Sequence, residues 1–152
     1  MAELNIKGTT YEARTDFKFQ QVADEKYSER DDKGKKVQSG LEVIYANLLE
    51  EDILYLSYFW DCALSHLRER PSLSEIQEAL IHEAGTDADY EHFFKAAFSK
   101  LDNAGFFRKQ VKKFWKNLSS ARKILKEEME KEMFEEMFTE MQEARSRLNP
   151  SA

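Results

Sequence analysis

Three histidines, His66, His82 and His92, a single cysteine, Cys62, and 29 Asp and Glu residues are the side chains able to carry catalysis or hold a metal. Metal ligands usually come in tight local sets, such as two His four apart with a carboxylate nearby. Here the histidines stand ten or more positions apart, on different predicted helices. Surface or boundary positions are therefore the expectation for them. Cys62 lies in the most apolar stretch, "ILYLSYFWDCAL", without a basic neighbour to stabilise a thiolate. It reads as a packing residue rather than a nucleophile. No Gly-rich phosphate loop, nucleophile elbow or paired-carboxylate signature is visible. No catalytic residue, metal or cofactor is expected; a metal-dependent activity built from the scattered His, Asp and Glu side chains is the enzymatic alternative.

Two amphipathic stretches carry a different chemistry, that of contact. In "GFFRKQVKKFWKNL", Phe107, Val111, Phe114, Trp115 and Leu118 share one helical face, and Arg108, Lys109, Lys112, Lys113 and Lys116 share the other. The plain expectation is a core-facing stripe with a solvated basic back. Such a back can also meet a membrane, an acidic partner or nucleic acid, and the acidic segment downstream makes a second copy of the chain as good a candidate as nucleic acid. In "EEMEKEMFEEMFTEM", Met129, Met133, Met137 and Met141 recur every fourth residue, with Phe134 and Phe138 beside them and glutamates around. Methionine is unbranched and polarizable, so a Met/Phe band can repack around unlike apolar partners. These six residues are the candidate partner-binding site. The alternative is that the band packs on the protein's own core or on a twin helix.

The elements that would position these stretches follow from punctuation and periodicity. "LNIKGTTYEAR" alternates Leu4 and Ile6, then Tyr11 and Ala13, around a Lys-Gly-Thr-Thr turn in which Gly8 supplies the backbone freedom, and reads as a small β-hairpin. Thr15 or Asp16 can cap a short helix, and "RDDKGKKVQSG" reads as a mobile loop. Residues 41–67 are the expected core. Leu41, Ile44, Tyr45, Leu48 and Leu49 form a stripe up to the acidic break Glu50-Glu51-Asp52, and Ile53, Leu54, Leu56, Phe59, Trp60 and Leu64 make a second helix apolar nearly all round, ended by Pro71. "SLSE" is a capping box whose helix turns Ile76, Leu80 and Ile81 inward and stops at Gly85. Asp87 or Asp89 can cap a helix carrying Phe93, Phe94, Ala97, Phe98 and Leu101. A last helical stretch runs from about residue 106 to 148, with a bend possible near "NLSS".

The sum is a mainly α fold: a helical domain over residues 1–118 with a small N-terminal β-hairpin, a long amphipathic Met/Phe-rich helix over 119–148, and a tail at 149–152. Five Gly and two Pro in 152 residues suit that reading. A net charge of −6 opposes nucleic acid as the main partner. One cysteine excludes an internal disulfide framework and suits a reducing cytosol. No signal peptide or bilayer-spanning run is legible, so an intracellular protein off the membrane is expected.

In order, "LNIKGTTYEARTDFKF", "GLEVIYANLLEEDILYLSYFWDCAL", "PSLSEIQEAL" and "FFKAAFSKLDNAGFFRKQVKK" resemble the tail assembly chaperones of long-tailed phages of Gram-positive bacteria, over roughly residues 1–118. The likeness is to the short product encoded before the tape measure protein. It implies a non-enzymatic helper of the host cytoplasm, absent from the mature virion, that keeps the tape measure protein soluble while the tail tube assembles. It also implies a longer frameshifted form able to recruit tail tube protein. The alternative is an unrelated helical adaptor or regulator acting through the same C-terminal helix.

Overall fold

Lys7 and Gly8 both have positive φ, 51° and 87°, the mirror-image turn that lets a two-residue loop follow the twist of its strands. In the computed structural model, which describes residues 2–151, this turn joins β1 (Glu3–Ile6) to β2 (Thr9–Glu12), with Ile6 opposite Thr9. Alternation buries Ala2, Leu4 and Ile6. A two-stranded ribbon is marginal alone. Here β1 leans on α4 (Leu73–Ala84), and Lys7 Nζ lies 2.8 Å from Glu75 Oε2.

The Asp16 carboxylate caps α1 (Phe17–Tyr27), accepting from the Lys18 N–H. The segment expected to be a mobile loop instead forms a second small hairpin, β3 (Glu29–Arg30) with β4 (Lys36–Gln38). Asp31 organises it: one carboxylate oxygen accepts from the N–H groups of Lys33 and Lys35 at 3.0 and 2.9 Å. Side-chain-to-backbone bonding of this kind gives order to a sequence too polar for a core.

α2 (Gly40–Leu49) and α3 (Ile53–Ala63) form the centre. α1 and α2 approach so closely at Gly40 that a Cβ there would stand 1.9 Å from the Ala23 carbonyl oxygen. Phe19, Ile44, Leu48, Leu56, Phe59 and Trp60 are buried on these helices, and Tyr45 of α2 is buried against Phe98, Phe114 and Trp115. Asp61 is buried among them. Its carboxylate accepts from Tyr27 Oη at 2.6 Å, Lys26 Nζ at 3.1 Å and an Arg70 guanidinium nitrogen at 3.2 Å. α3 stops at Ala63 and does not run to Pro71 as the sequence suggests. Residues 64–70 turn back so that Arg70 reaches Asp61, and Ser65 Oγ takes up the Cys62 carbonyl at 2.6 Å.

The capping box of Ser72 and Glu75 opens α4, and Gly85, at φ 73°, follows its end. Three expected core residues prove exposed: Ile81 at 64%, and Ile53 and Leu54 at 51 and 47%. Five residues on from Ile76, Ile81 is rotated by about 140°, off the inner face. Ile53 and Leu54 occupy the first turn of α3, while Leu56, Phe59 and Trp60 further along are enclosed.

Asp89 accepts from the Glu91 N–H at the start of α5 (Glu91–Asp102), which buries Phe93, Phe94, Ala97, Phe98 and Leu101. A short 3-10 turn, Gly105–Phe107, leads into α6 (Arg108–Ala121). The final stretch is not one rod. It breaks at a second 3-10 turn, Arg122–Ile124, just beyond Ser119 and Ser120, and Leu125 is extended. α7 (Glu128–Leu148) then folds back beside α6 and α5.

Candidate partner-binding surface

α7 is held at its foot by a buried carboxylate. The Asp102 side chain is 1% exposed and accepts four hydrogen bonds: Tyr45 Oη at 2.7 Å, Arg145 Nε and a terminal Arg145 nitrogen at 3.1 Å each, and Asn149 Nδ2 at 2.7 Å. Tyr45 Oη in turn accepts from Trp115 Nε1 at 2.8 Å, and the Arg145 guanidinium lies 5.1 Å from the centre of the Trp115 ring. Burial, followed by the hydrogen bond to Asp102, pushes the Tyr45 phenol well above its usual pKa, so it stays neutral and keeps its proton for the carboxylate. One network thus ties α2, α5, α6 and α7. Leu148 and Asn149 are both buried beside it, so the expected tail at 149–152 begins with an anchored residue. Arg147 adds a fork to Glu51, at 3.1 and 3.0 Å.

Above this foot the six candidate residues part company. Met129 and Met133 are exposed at 72 and 66% and Met137 at 40%, whereas Phe138 is 8% exposed and Met141 packs partly against the core. Phe134 is half-buried and stacks near Phe138 with ring centres 6.2 Å apart. Phe138 meets the Trp115 ring edge at 6.3 Å and lies under the Arg122 guanidinium at 5.3 Å. The geometry follows from the spacing. Each four-residue step drifts about 40° past a full turn, so a row facing solvent at Met129 has wound onto the protein by Met141. The outward part is a short thioether ribbon bordered by Glu128, Glu130, Glu132 and Glu136, all exposed.

The basic back of α6 is also outward. Val111 is buried and Phe114, Trp115 and Leu118 are half-buried, while Arg108, Lys109, Lys112, Lys113 and Lys116 are exposed. None of these five cations forms an ion pair among the described residues. Beside them Phe17 and Phe106 meet edge to face at 4.6 Å, although exposed at 72 and 40%.

Among the described residues no three His, Cys, Asp or Glu side chains gather as a metal site. Burial, followed by the neighbouring Asp61 charge, pushes the Cys62 thiol well above its usual pKa. No described helix is long and apolar enough to cross a membrane. Sequence reading missed the exposure of Ile53, Leu54 and Ile81; the acids flanking them, Asp52 and Glu78, were the available signal.

The fold and this surface define a mainly α protein whose distinctive exposed chemistry is apolar and charged contact area. Residues 3–116 match the family model described as Phage tail assembly chaperone protein, TAC. The chain belongs to that family. The match ends within α6, so α7 and its ribbon lie beyond it. Neither a comparison with curated proteins nor one with solved structures gives a match.

Proposed function

We propose that this tail assembly chaperone acts by binding the tape measure protein in the host cytoplasm, keeping it soluble until tube subunits enclose it, and that the α7 ribbon is a contact for it. The observation that carries the reading is the exposure of Met129, Met133 and Met137 on a helix fixed at its foot by Asp102 and Arg145. A long helical client exposes apolar stretches that would otherwise aggregate. Thioethers can meet many such stretches without demanding one register, and the bordering glutamates keep the complex in solution. Phe134, Phe138 and Met141 serve as the backing that holds the ribbon's inner side.

The test is co-expression with a tape measure fragment. Met129→Gln, Met133→Gln and Met137→Gln together should abolish co-purification and return the fragment to the pellet, with the melting curve of the chaperone unchanged. Retained co-purification would move the contact elsewhere. The unpaired cations of α6 favour a second contact, copy to copy, against the glutamates of α7. Sedimentation should then show an assembly that loosens as salt rises.

A further inference from the structure

Ile53, Leu54 and Ile81 are not scattered. They surround one groove of about 340 Å³ between the first turn of α3 and the second half of α4, completed by Gln77, Leu80 and Tyr90. Single exposed aliphatic residues are ordinary; three around one concavity mark an interaction site. The volume is at the small end for ligand pockets, suited to a few side chains rather than a whole cofactor.

The charge around the groove has one sign. No Lys or Arg lines it. Asp52 precedes Ile53 and Asp89 precedes Tyr90, both exposed, whereas Glu78 faces the β1 side of α4 near Lys7. Neither Asp52 nor Asp89 is in an ion pair among the described residues. From Leu41 to Phe94 the chain holds 12 Asp and Glu but only Arg68 and Arg70, and Arg70 is committed to Asp61. Arg147, arriving from α7, is shared between Glu51 and Glu91 and so neutralises only the edge nearest the α7 foot.

We propose that this groove docks a helical segment of a partner protein, apolar on one side and carrying Lys or Arg beside its anchors. Two or three aliphatic side chains at i, i+4 and i+7 would enter between Leu54 and Ile81, as amphipathic helices enter grooves generally. The flanking cations would face Asp52 and Asp89. The chain's own α6 is basic, but its Val111 is buried and the exposed apolar groups beside it, Phe17 and Phe106, are already paired ring to ring, so a second copy would bring charge from α6 without aliphatic anchors. The groove is separate from the α7 ribbon and does not depend on it.

The experiment uses the full chain with labelled Ile, Leu and Met methyl groups. The probes are a synthetic helix with Leu anchors and Lys flanks, and its twin with Glu flanks. The Lys peptide should shift the methyls of Ile53, Leu54, Leu80 and Ile81, and its affinity should fall as salt rises. The Glu peptide should bind at least about ten-fold more weakly. Leu54→Lys with Ile81→Lys, or Ile81→Ser alone should the pair disturb folding, should weaken the Lys peptide while circular dichroism stays unchanged. The Met129, Met133 and Met137 glutamine variant should bind it undiminished, which keeps this site's outcome distinct from that of the ribbon. Equal binding of both peptides, or shifts confined to the methionines, would overturn the proposal. So would groove methyls that move with protein concentration alone, which would assign the groove to a second copy.

Discussion

Replacing Asp102 with Ala removes the acceptor for four hydrogen bonds at the base of α7. The two from Arg145 are the least costly to lose, because that side chain is 33% exposed and can turn to water. Asn149 keeps the Asn103 carbonyl oxygen at 2.9 Å. The Tyr45 hydroxyl still receives the Trp115 N–H but has no acceptor other than Asp102 among the described residues. A buried donor left unsatisfied costs roughly 1–3 kcal/mol, and the lost charge-assisted bonds add on the order of 1.5–3 kcal/mol. Together they give about 2.5–6 kcal/mol, a span centred on the ~3–5 kcal/mol typical of breaking a buried ion pair. With a urea slope near ~2 kcal/mol/M, the midpoint should fall by roughly 2 M. Hydrogen exchange should speed first in the last turns of α7 and beside Trp115. Arg147→Ala, which removes only half-exposed pairs, should cost under about 1 kcal/mol and serves as the control. A loss for Asp102→Ala no larger than that of the control would refute the assignment of this carboxylate as the anchor.

Phe138→Ala should destabilise by about 2–4 kcal/mol, the cost of emptying a packed aromatic site, whereas Met129→Ala should change stability by less than about 0.5 kcal/mol; paired urea titrations read both. Gly40→Ala should prove among the most damaging single substitutions, costing about 3 kcal/mol or more, because the new methyl meets the Ala23 backbone and α1 must shift; thermal melting tests it. The Lys7 ammonium and the Ser72 N–H hold the Glu75 carboxyl down at about 2, below its ordinary 4.5. Its contribution is therefore complete above pH 4.5 and fades as pH falls toward 2. Glu75→Gln should lower the melting temperature at pH 7 and lose that deficit at the acid end; a deficit independent of pH would count against the pairing.

Most of the helical layout was legible because capping and periodicity are local. Asp16, Ser72 with Glu75, and Gly85 lie where sequence alone puts them. The hairpin at Lys7-Gly8 needed only turn chemistry. What escaped was set by partners distant in the chain. α3 ends early and Arg70 reaches back to Asp61, and no helical period encodes that. Ile53, Leu54 and Ile81 carry the right hydrophobicity for a core but lie where no neighbouring helix covers them. The methionine row was plain in the sequence. Its twist relative to the body was not, because the fold-back after Arg122 decides which end faces outward.

The Asp102 clasp has a consequence for how the molecule can be divided. Cutting the chain after residue 116, where the family resemblance stops, would strand Asp102 without Arg145 and uncover the socket of Leu148. The shared portion alone should therefore prove less stable than the full chain. Whatever α7 contributes to recognition, its last turns also brace the body that bears it.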